Sequence, residues 1–445
     1  MKKTVLRGIA LIAVALLPAT GLAYGSVRES ESLPQPLTLE YALAAADEAH
    51  PVLELARAEA QIAQAEVLAA DALTGVNVDV ETRARWVEPA EAAQDQSRED
   101  HKLSLFVRKN LYDFGRSEAR RMAAGAERRG RQFIVEDVRR RRRIEIMERF
   151  FDVLIADLEF ARDNETMATA YVALNRLRNR SELGQASDID LLEMESSYQQ
   201  ARRQRLISEN RQRATRSRLA TALNRPGQLP SLLSPPGLPQ LERPLPPYET
   251  LLKTALESHP RILALKAQAE AAGQRLAAAR AGKNPYLNGE LEASQYARET
   301  GTSDTLRAGV TLHVPLYTGG AVDAAIARET AQVHKTRAQL SEIENQVRES
   351  VLALWLELSA YETRLDEARA LGDYRELYLD RSRAQYEMEL KTDLGDAMVR
   401  LSEAQLAIAV TRYRAAIDWE RLDALTGGAL SAGTVLPAGA EAGSP

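Results

Sequence analysis

The chain reads as a mainly α-helical protein with a small β part: long helical hairpins, four strands and an internal duplication. Three observations predict this. No proline lies between Gly115 and Arg225 or between Leu316 and Leu436, whereas eight of the 18 fall between Pro226 and Pro247. Proline breaks helix interiors, so the two empty tracts suit very long helices and the crowded one an extended linker. Apolar residues inside the empty tracts recur in steps of three and four. Ile144, Met147, Phe151, Leu154, Leu158 and Ala161 do so in the first, and Val347, Val351, Leu354, Leu358, Tyr361 and Leu365 in the second. Such heptad-like seams pack helices lengthwise on one another. Finally, four short segments alternate apolar and polar residues, which is the period of a strand with one wet face.

In chain order, Lys2, Lys3 and Arg7 precede an uncharged apolar run from Ile9 to Leu17, then Pro18 and small residues to Ala23. That layout predicts a signal peptide over 1–23; the run is too short to cross a bilayer as a helix. Residues 24–225 form a first repeat, 226–247 a Pro-rich linker, 248–428 a second repeat and 429–445 a flexible tail. Ala49-His50-Pro51 opens a helix in the first repeat and Ser258-His259-Pro260 opens one in the second, with Pro at the first helical position. These helices run to about Ala72 and Ala281. Strands follow. Val76, Val78 and Val80 alternate with Asn77, Asp79 and Glu81, and Leu103, Leu105 and Val107 with Lys102, Ser104 and Arg108. In the second repeat Leu287 and Leu291 alternate with Asn288, Glu290 and Glu292, and Val310, Leu312 and Val314 with Thr311 and His313. Polar loops join the strands of each pair near 91–100 and 300–304. A long helix then starts at Arg116, and about 65 helical residues span roughly 100 Å. Turns near Gly184 and Glu389 reverse the chain, and shorter helices return to Leu223 and Leu425. Leu111-Tyr112 with Gly115 recurs as Leu316-Tyr317 with Gly320, and Ser187-Asp188-Ile189 as Thr392-Asp393-Leu394, at one common offset.

Four strands cannot close a membrane barrel, which has no free edge and needs about eight or more. Three protomers supply twelve. Apolar strand faces then meet lipid and polar faces line a wet lumen. Trp86, Phe106 and Tyr296, near strand ends, are candidates for an aromatic membrane girdle. The other reading of these strands is a soluble hairpin capping a coiled coil.

The order of helix, strand pair, long helix, turn and shorter helix, given twice after a leader, resembles the TolC-like outer membrane efflux family. The resemblance covers nearly the whole mature chain. Its marks are Leu111-Tyr112-Asp113-Phe114-Gly115, Pro315-Leu316-Tyr317-Thr318-Gly319-Gly320 and the tip-like stretch from Gly184 to Leu192. It implies a homotrimer with a twelve-stranded outer-membrane barrel and a helical periplasmic tunnel. The inner end would meet a periplasmic adaptor and an inner-membrane transporter, with Gly184, Ser187, Glu389 and Thr392 at the contacting turns. Such a chain is the channel component of a tripartite efflux or type I secretion system. The alternative is a periplasmic coiled-coil adaptor or scaffold without a pore. The chain departs from the family pattern at His50 and His259, where Asn often precedes the Pro, and at Glu389, where a tip glycine is expected.

The tips hold the candidate site. Asp188, Asp190 and Glu193 cluster at one turn, and Asp393 and Asp396 at the other. Three copies would ring the periplasmic mouth with carboxylates that attract cations. Asp188 and Asp393 also fit as helix N-caps, which leaves Asp190 and Asp396 as the better pore candidates.

The remaining signals exclude other classes. There is no cysteine, hence no disulfide, thiolate metal site or lipidated N-terminal cysteine. The five histidines show no metal-ligand spacing, and no phosphate loop or nucleophile elbow occurs, so no catalysis, cofactor or metal is expected. The formal charge is −5, and removal of the +3 leader would leave −8, a poor balance for nucleic acid. The run Arg139 to Arg143 is flanked by Glu136, Asp137, Glu145 and Glu148, which predicts an ion-paired helix face.

Overall fold

A computed structural model describes residues 33–93, 95–298, 303–388 and 393–431. The leader, Glu389, Thr392 and the tail beyond 431 lie outside the described residues. Every element below belongs to the unit that starts at Gln35.

The first half contains α1 (Leu39–Ala44), α2 (Pro51–Ala72), β1 (Val76–Arg83), β2 (Lys102–Tyr112), α3 (Arg116–Glu182) and α4 (Asp188–Ala222). After the linker come α5 (Tyr248–Ser258), α6 (Pro260–Arg280), β3 (Tyr286–Tyr296), β4 (Leu306–His313), α7 (Ala321–Ser359), α8 (Tyr361–Glu387) and α9 (Leu394–Leu425). The two halves carry the same order of elements. The recurring glycines mark the passage from strand to long helix. Phe114 and Gly115 have φ of 52° and 90°, and Gly319 and Gly320 have 62° and 81°. Glycine enters this left-handed region at no steric cost. Asp113 then caps α3, accepting from the Ser117 amide at 2.9 Å and from its hydroxyl.

α3 is 67 residues long and unbroken. It packs along α2 and α4 on one side and along α6 and α9 on the other. The short helices stack end to end. The left-handed Asn224 that follows α4 donates from Nδ2 to the Ala49 carbonyl at 2.8 Å, just ahead of α2. Gly427, which follows α9, lies so close to the start of α6 that a Cβ there would sit 2.6 Å from the Ser258 carbonyl oxygen.

The second long helix departs from the sequence expectation: it breaks into α7 and α8 at Ala360. The Arg364 guanidinium binds the Glu357 carbonyl, which an unbroken helix offers to the amide of residue 361. The Ser359 hydroxyl also turns back, onto Leu356 O at 2.8 Å. The heptad seam survives the break. Val347, Val351, Leu358, Tyr361 and Leu365 are all buried in one core with Leu251, Ile262, Trp419 and Leu422.

The arginine run is an ion-paired face only in part. Arg139 pairs with Glu136, and Arg141 with Asp137, on their own helix. Five consecutive helical residues encircle the axis, so the others reach different neighbours. Arg142 is buried and donates to the Ala45 and Ala46 carbonyls at 3.2 and 3.3 Å. Arg140 donates to Gly427 O at 2.7 Å, and Arg143 pairs with Glu420. The run therefore ties α3 to the ends of the first and last helices.

Candidate functional site

The four strands form one antiparallel sheet in the order β1-β2-β3-β4, with one outer edge each on β1 and β4. Register places Val78, Val107, Leu291 and Ala308 in one row, and Val80, Leu105, Ala293 and Leu306 in the next. This apolar face is bare: Val76, Val78, Val80, Leu105, Leu291, Leu306, Val310 and Leu312 are all exposed. The opposite face is the polar one. On it Ser104, Glu292 and Ser294 are buried. Lys102 donates to Glu292 at 2.6 Å, Ser104 and Ser294 share a 2.8 Å hydrogen bond, and Arg108 bridges Glu290 and Asp79 at 2.7 and 3.5 Å. An antiparallel sheet in water commonly packs its apolar face on a core and solvates the other. This sheet is inverted.

The inversion corrects two of the three girdle residues. Phe106 lies opposite Asp79 and Glu292, shares the face of Ser104 and Arg108, and is only 9% exposed, with the Arg108 guanidinium 4.2 Å from its ring centre. Tyr296 lies opposite Lys102, whose ammonium is 5.4 Å from its ring. Both have the parity of the polar residues, so neither reaches the apolar face. Trp86 is exposed, in a bridge to Glu99 beyond β1. The sequence reading missed the aromatics at the foot of the sheet. Tyr112, Phe114 and Tyr317 are exposed, Tyr317 to 89%. Their signal was the recurring Leu-Tyr pair.

At the first tip Gly184 is left-handed, with φ 72°. Its amide reaches Ser181 O at 2.9 Å and the Gln185 amide reaches Arg180 O at 2.8 Å, which closes α3 in a Schellman-type turn. Ser187, not Asp188, caps α4, accepting from the Asp190 amide at 3.2 Å. Asp188, Asp190 and Glu193 are exposed and form no ion pair among the described residues. At the second tip Asp393 holds the N-cap position without capping. Its Oδ2 instead accepts from the Tyr378 hydroxyl at 3.0 Å, and this contact raises the Tyr378 pKa. Asp396 is exposed, 3.6 Å from Arg400. The second hairpin is seated on α3: a Cβ on Gly395 would lie 2.7 Å from Thr169 Oγ1, and the Ser402 hydroxyl donates to Glu165 at 2.6 Å.

The two unusual histidines cap the helices they precede. His50 Nδ1 accepts from the Val52 amide at 3.3 Å, and His259 Nδ1 from the Arg261 amide at 3.2 Å. An accepting Nδ1 requires a neutral ring. Burial, and then Arg261, Arg141 and Arg140, lower the His259 pKa to about 4. Burial followed by Arg142 lowers that of His50. Among the described residues no group of three His, Asp or Glu is arranged to hold a metal, and no helix is long and apolar enough to cross a membrane.

The profile of the outer membrane efflux protein family matches residues 251–428. The outer membrane efflux protein BepC of Brucella suis is 29% identical over 188 residues, 41% of this chain and 40% of that protein. The alkaline protease secretion protein AprF of Pseudomonas aeruginosa is 25% identical over 297 residues, 63% of this chain and 60% of that protein. The chain thus spans between two fifths and three fifths of the length of these relatives. The crystal structure of the outer membrane protein VceC from Vibrio cholerae superposes with a TM-score of 0.71 at 18% identity, covering 88% of this chain and 96% of VceC. The outer membrane efflux protein family is thus matched by sequence over the second repeat, and the chain shares the fold of VceC over most of its length.

Proposed function

We propose that the chain is the outer-membrane channel of a tripartite efflux or type I secretion system, a passive exit duct from periplasm to exterior. The carrying observation is the inverted sheet: a bare apolar face, a paired polar face and two outer edges, at the end of a helix about 100 Å long. Lipid is the solvent that suits such a face, and two further copies close the edges into a homotrimeric twelve-stranded barrel. The fold is that of channel proteins rather than enzymes. The leader exports the chain, and the tips meet a periplasmic adaptor coupled to an inner-membrane transporter that supplies the energy. A poreless scaffold leaves the apolar face without an occupant.

Planar-bilayer conductance of the detergent-purified protein tests this. Discrete steps from a detergent-resistant trimer are expected. A monomer that purifies without detergent and never conducts discards the duct. The exposed tip carboxylates make the entrance cation-selective. Asp190→Ala combined with Asp396→Ala is expected to weaken that selectivity and any block by divalent cations; an unchanged reversal potential removes these residues from the entrance.

A further inference from the structure

The apolar face of the sheet carries one charge. Register aligns Lys109 with Val76 on β1, with Gly289 on β3 and, through Gly289, with Val310 on β4. Every other position on this face of the four strands is uncharged. The remaining strand cations lie on the polar face and have carboxylate partners: Lys102 and Arg307 with Glu292, Arg108 with Glu290, Arg83 with Glu81. Lys109 is exposed and has no ion pair or hydrogen-bond partner among the described residues.

Its neighbours give the position meaning. Gly289 presents no side chain beside it, and Leu111 lies over that glycine, 3.2 Å from where a Cβ would stand. A register shift between Asn110 and Tyr112 sets Tyr112 opposite Leu287, on the apolar side. Tyr112 is exposed and meets Phe114 edge-on at 4.7 Å. Lys109 therefore stands three residues before Tyr112, toward the aromatic fringe where strand gives way to helix. A lysine at mid-bilayer is strongly disfavoured on a barrel's lipid face, whereas one near the fringe is tolerated because its ammonium snorkels to the headgroups. A second copy of the chain cannot cover it: β2 is flanked by β1 and β3, so the edges that would join protomers lie a strand away. The equivalent position in the second half, at the offset that relates Leu111 to Leu316, is Val314.

We propose that Lys109, beside Tyr112, forms a binding site for the headgroup phosphate of an anionic phospholipid in the leaflet on the helix side of the membrane. There is one site per protomer, contributed by the first half alone. The assignment rests on the outer-membrane barrel reading. The ammonium supplies the charge, and the tyrosine ring sets its depth at the interface.

The test is native mass spectrometry of the detergent-purified, full-length trimer titrated with phosphatidylglycerol or phosphatidylcholine of identical acyl chains. One lysine near an anionic headgroup corresponds to a preference of about fivefold per site for phosphatidylglycerol. Lys109→Gln is expected to abolish that preference with the trimer intact, and Lys109→Arg to keep it. A wild-type trimer that binds both lipids equally, or a Lys109→Gln trimer that keeps the wild-type preference, overturns the site and leaves the duct standing. A chain that forms no detergent-resistant trimer and binds neither lipid overturns both.

Discussion

The two helical hairpins have the same order of elements, yet they are held differently. In the first, α3 runs unbroken and its end is closed by the Gly184 turn and the Ser187 cap. In the second, the long helix breaks at Ala360, and the return helix begins at an aspartate bonded to Tyr378 rather than capping its own helix. The first hairpin owes its shape to contacts within itself. The second is seated on α3 by a few contacts, Gly395 on Thr169 and Ser402 on Glu165, and its turn is tied by the bond between Tyr378 and Asp393. A duct that opens at its tips moves the element whose seat is local and breakable. In the duct proposed above, the second hairpin is expected to be that element and the first its frame.

The junctions above the hairpins differ in the same sense, and there the largest effect is expected. His259, at the α6/α9 junction, is buried, while His50, at the α2/α4 junction, is half-buried. The folded-state pKa of His259 is lowered to about 4, from an ordinary histidine value of 6.5. Between those values the unfolded chain binds a proton that the folded chain refuses, so stability rises with pH across this window and is lost as pH falls through it. The loss approaches about 3 kcal/mol near pH 4. His259→Asn keeps an N-cap acceptor but cannot titrate. Melting midpoints measured from pH 7 to pH 4 are expected to fall less steeply in His259→Asn than in the wild type. His50→Asn should change the slope less. Parallel curves for all three proteins would show that the His259 proton plays no part.

Much of this arrangement was legible in the sequence. Strand parity, helix extents and the recurring Leu-Tyr and glycine marks follow from local sterics and periodicity. Residues whose role is set by a distant partner were not legible. Nothing near Ala360 announces a break, and the carbonyl freed there is met by a guanidinium reaching back from Arg364. The arginine run looked like a surface feature because the acceptors of Arg140 and Arg142 are backbone carbonyls from opposite ends of the chain. His50 and His259 stood out only as departures from asparagine; the caps explain why a neutral imidazole serves in its place. Phe106 and Tyr296 were assigned by aromatic type where parity, already visible, was the better guide.

The seat of the second hairpin gives the next effect. Gly395→Val puts branched carbon where Thr169 Oγ1 stands, and overpacking of this kind costs about 2 kcal/mol. The expected result is a tip biased open: higher resting conductance in bilayers, and greater sensitivity of cells to large antibiotics that an outer membrane excludes. Thr169→Ala in the same chain makes room and should reverse part of the change. Gly184→Val is the matching test of the frame. Its φ of 72° makes the substitution strained, but a Cβ there meets nothing within 4 Å. It should lower stability by about 1 kcal/mol without raising conductance. Equal conductance changes in the two variants would erase the distinction between frame and moving arm.

The smallest effect isolates one hydrogen bond. Tyr378→Phe removes the hydroxyl that Asp393 accepts from and leaves the ring in place. A hydrogen bond to a charged acceptor at an accessible site contributes little to stability, but a small bias is enough to shift a closed-to-open ratio. The shift should appear as more frequent openings at unchanged single-channel conductance, because the pore wall itself is untouched. Asp393→Asn in the wild-type background separates the bond from the charge. If the bond to Tyr378 holds the tip, Asn, which still accepts, should open the duct less than Phe at 378 does. If the carboxylate acts through the pore field instead, Asp393→Asn should change ion selectivity and Tyr378→Phe should not. The two variants therefore distinguish a latch from a charge ring at the same residue.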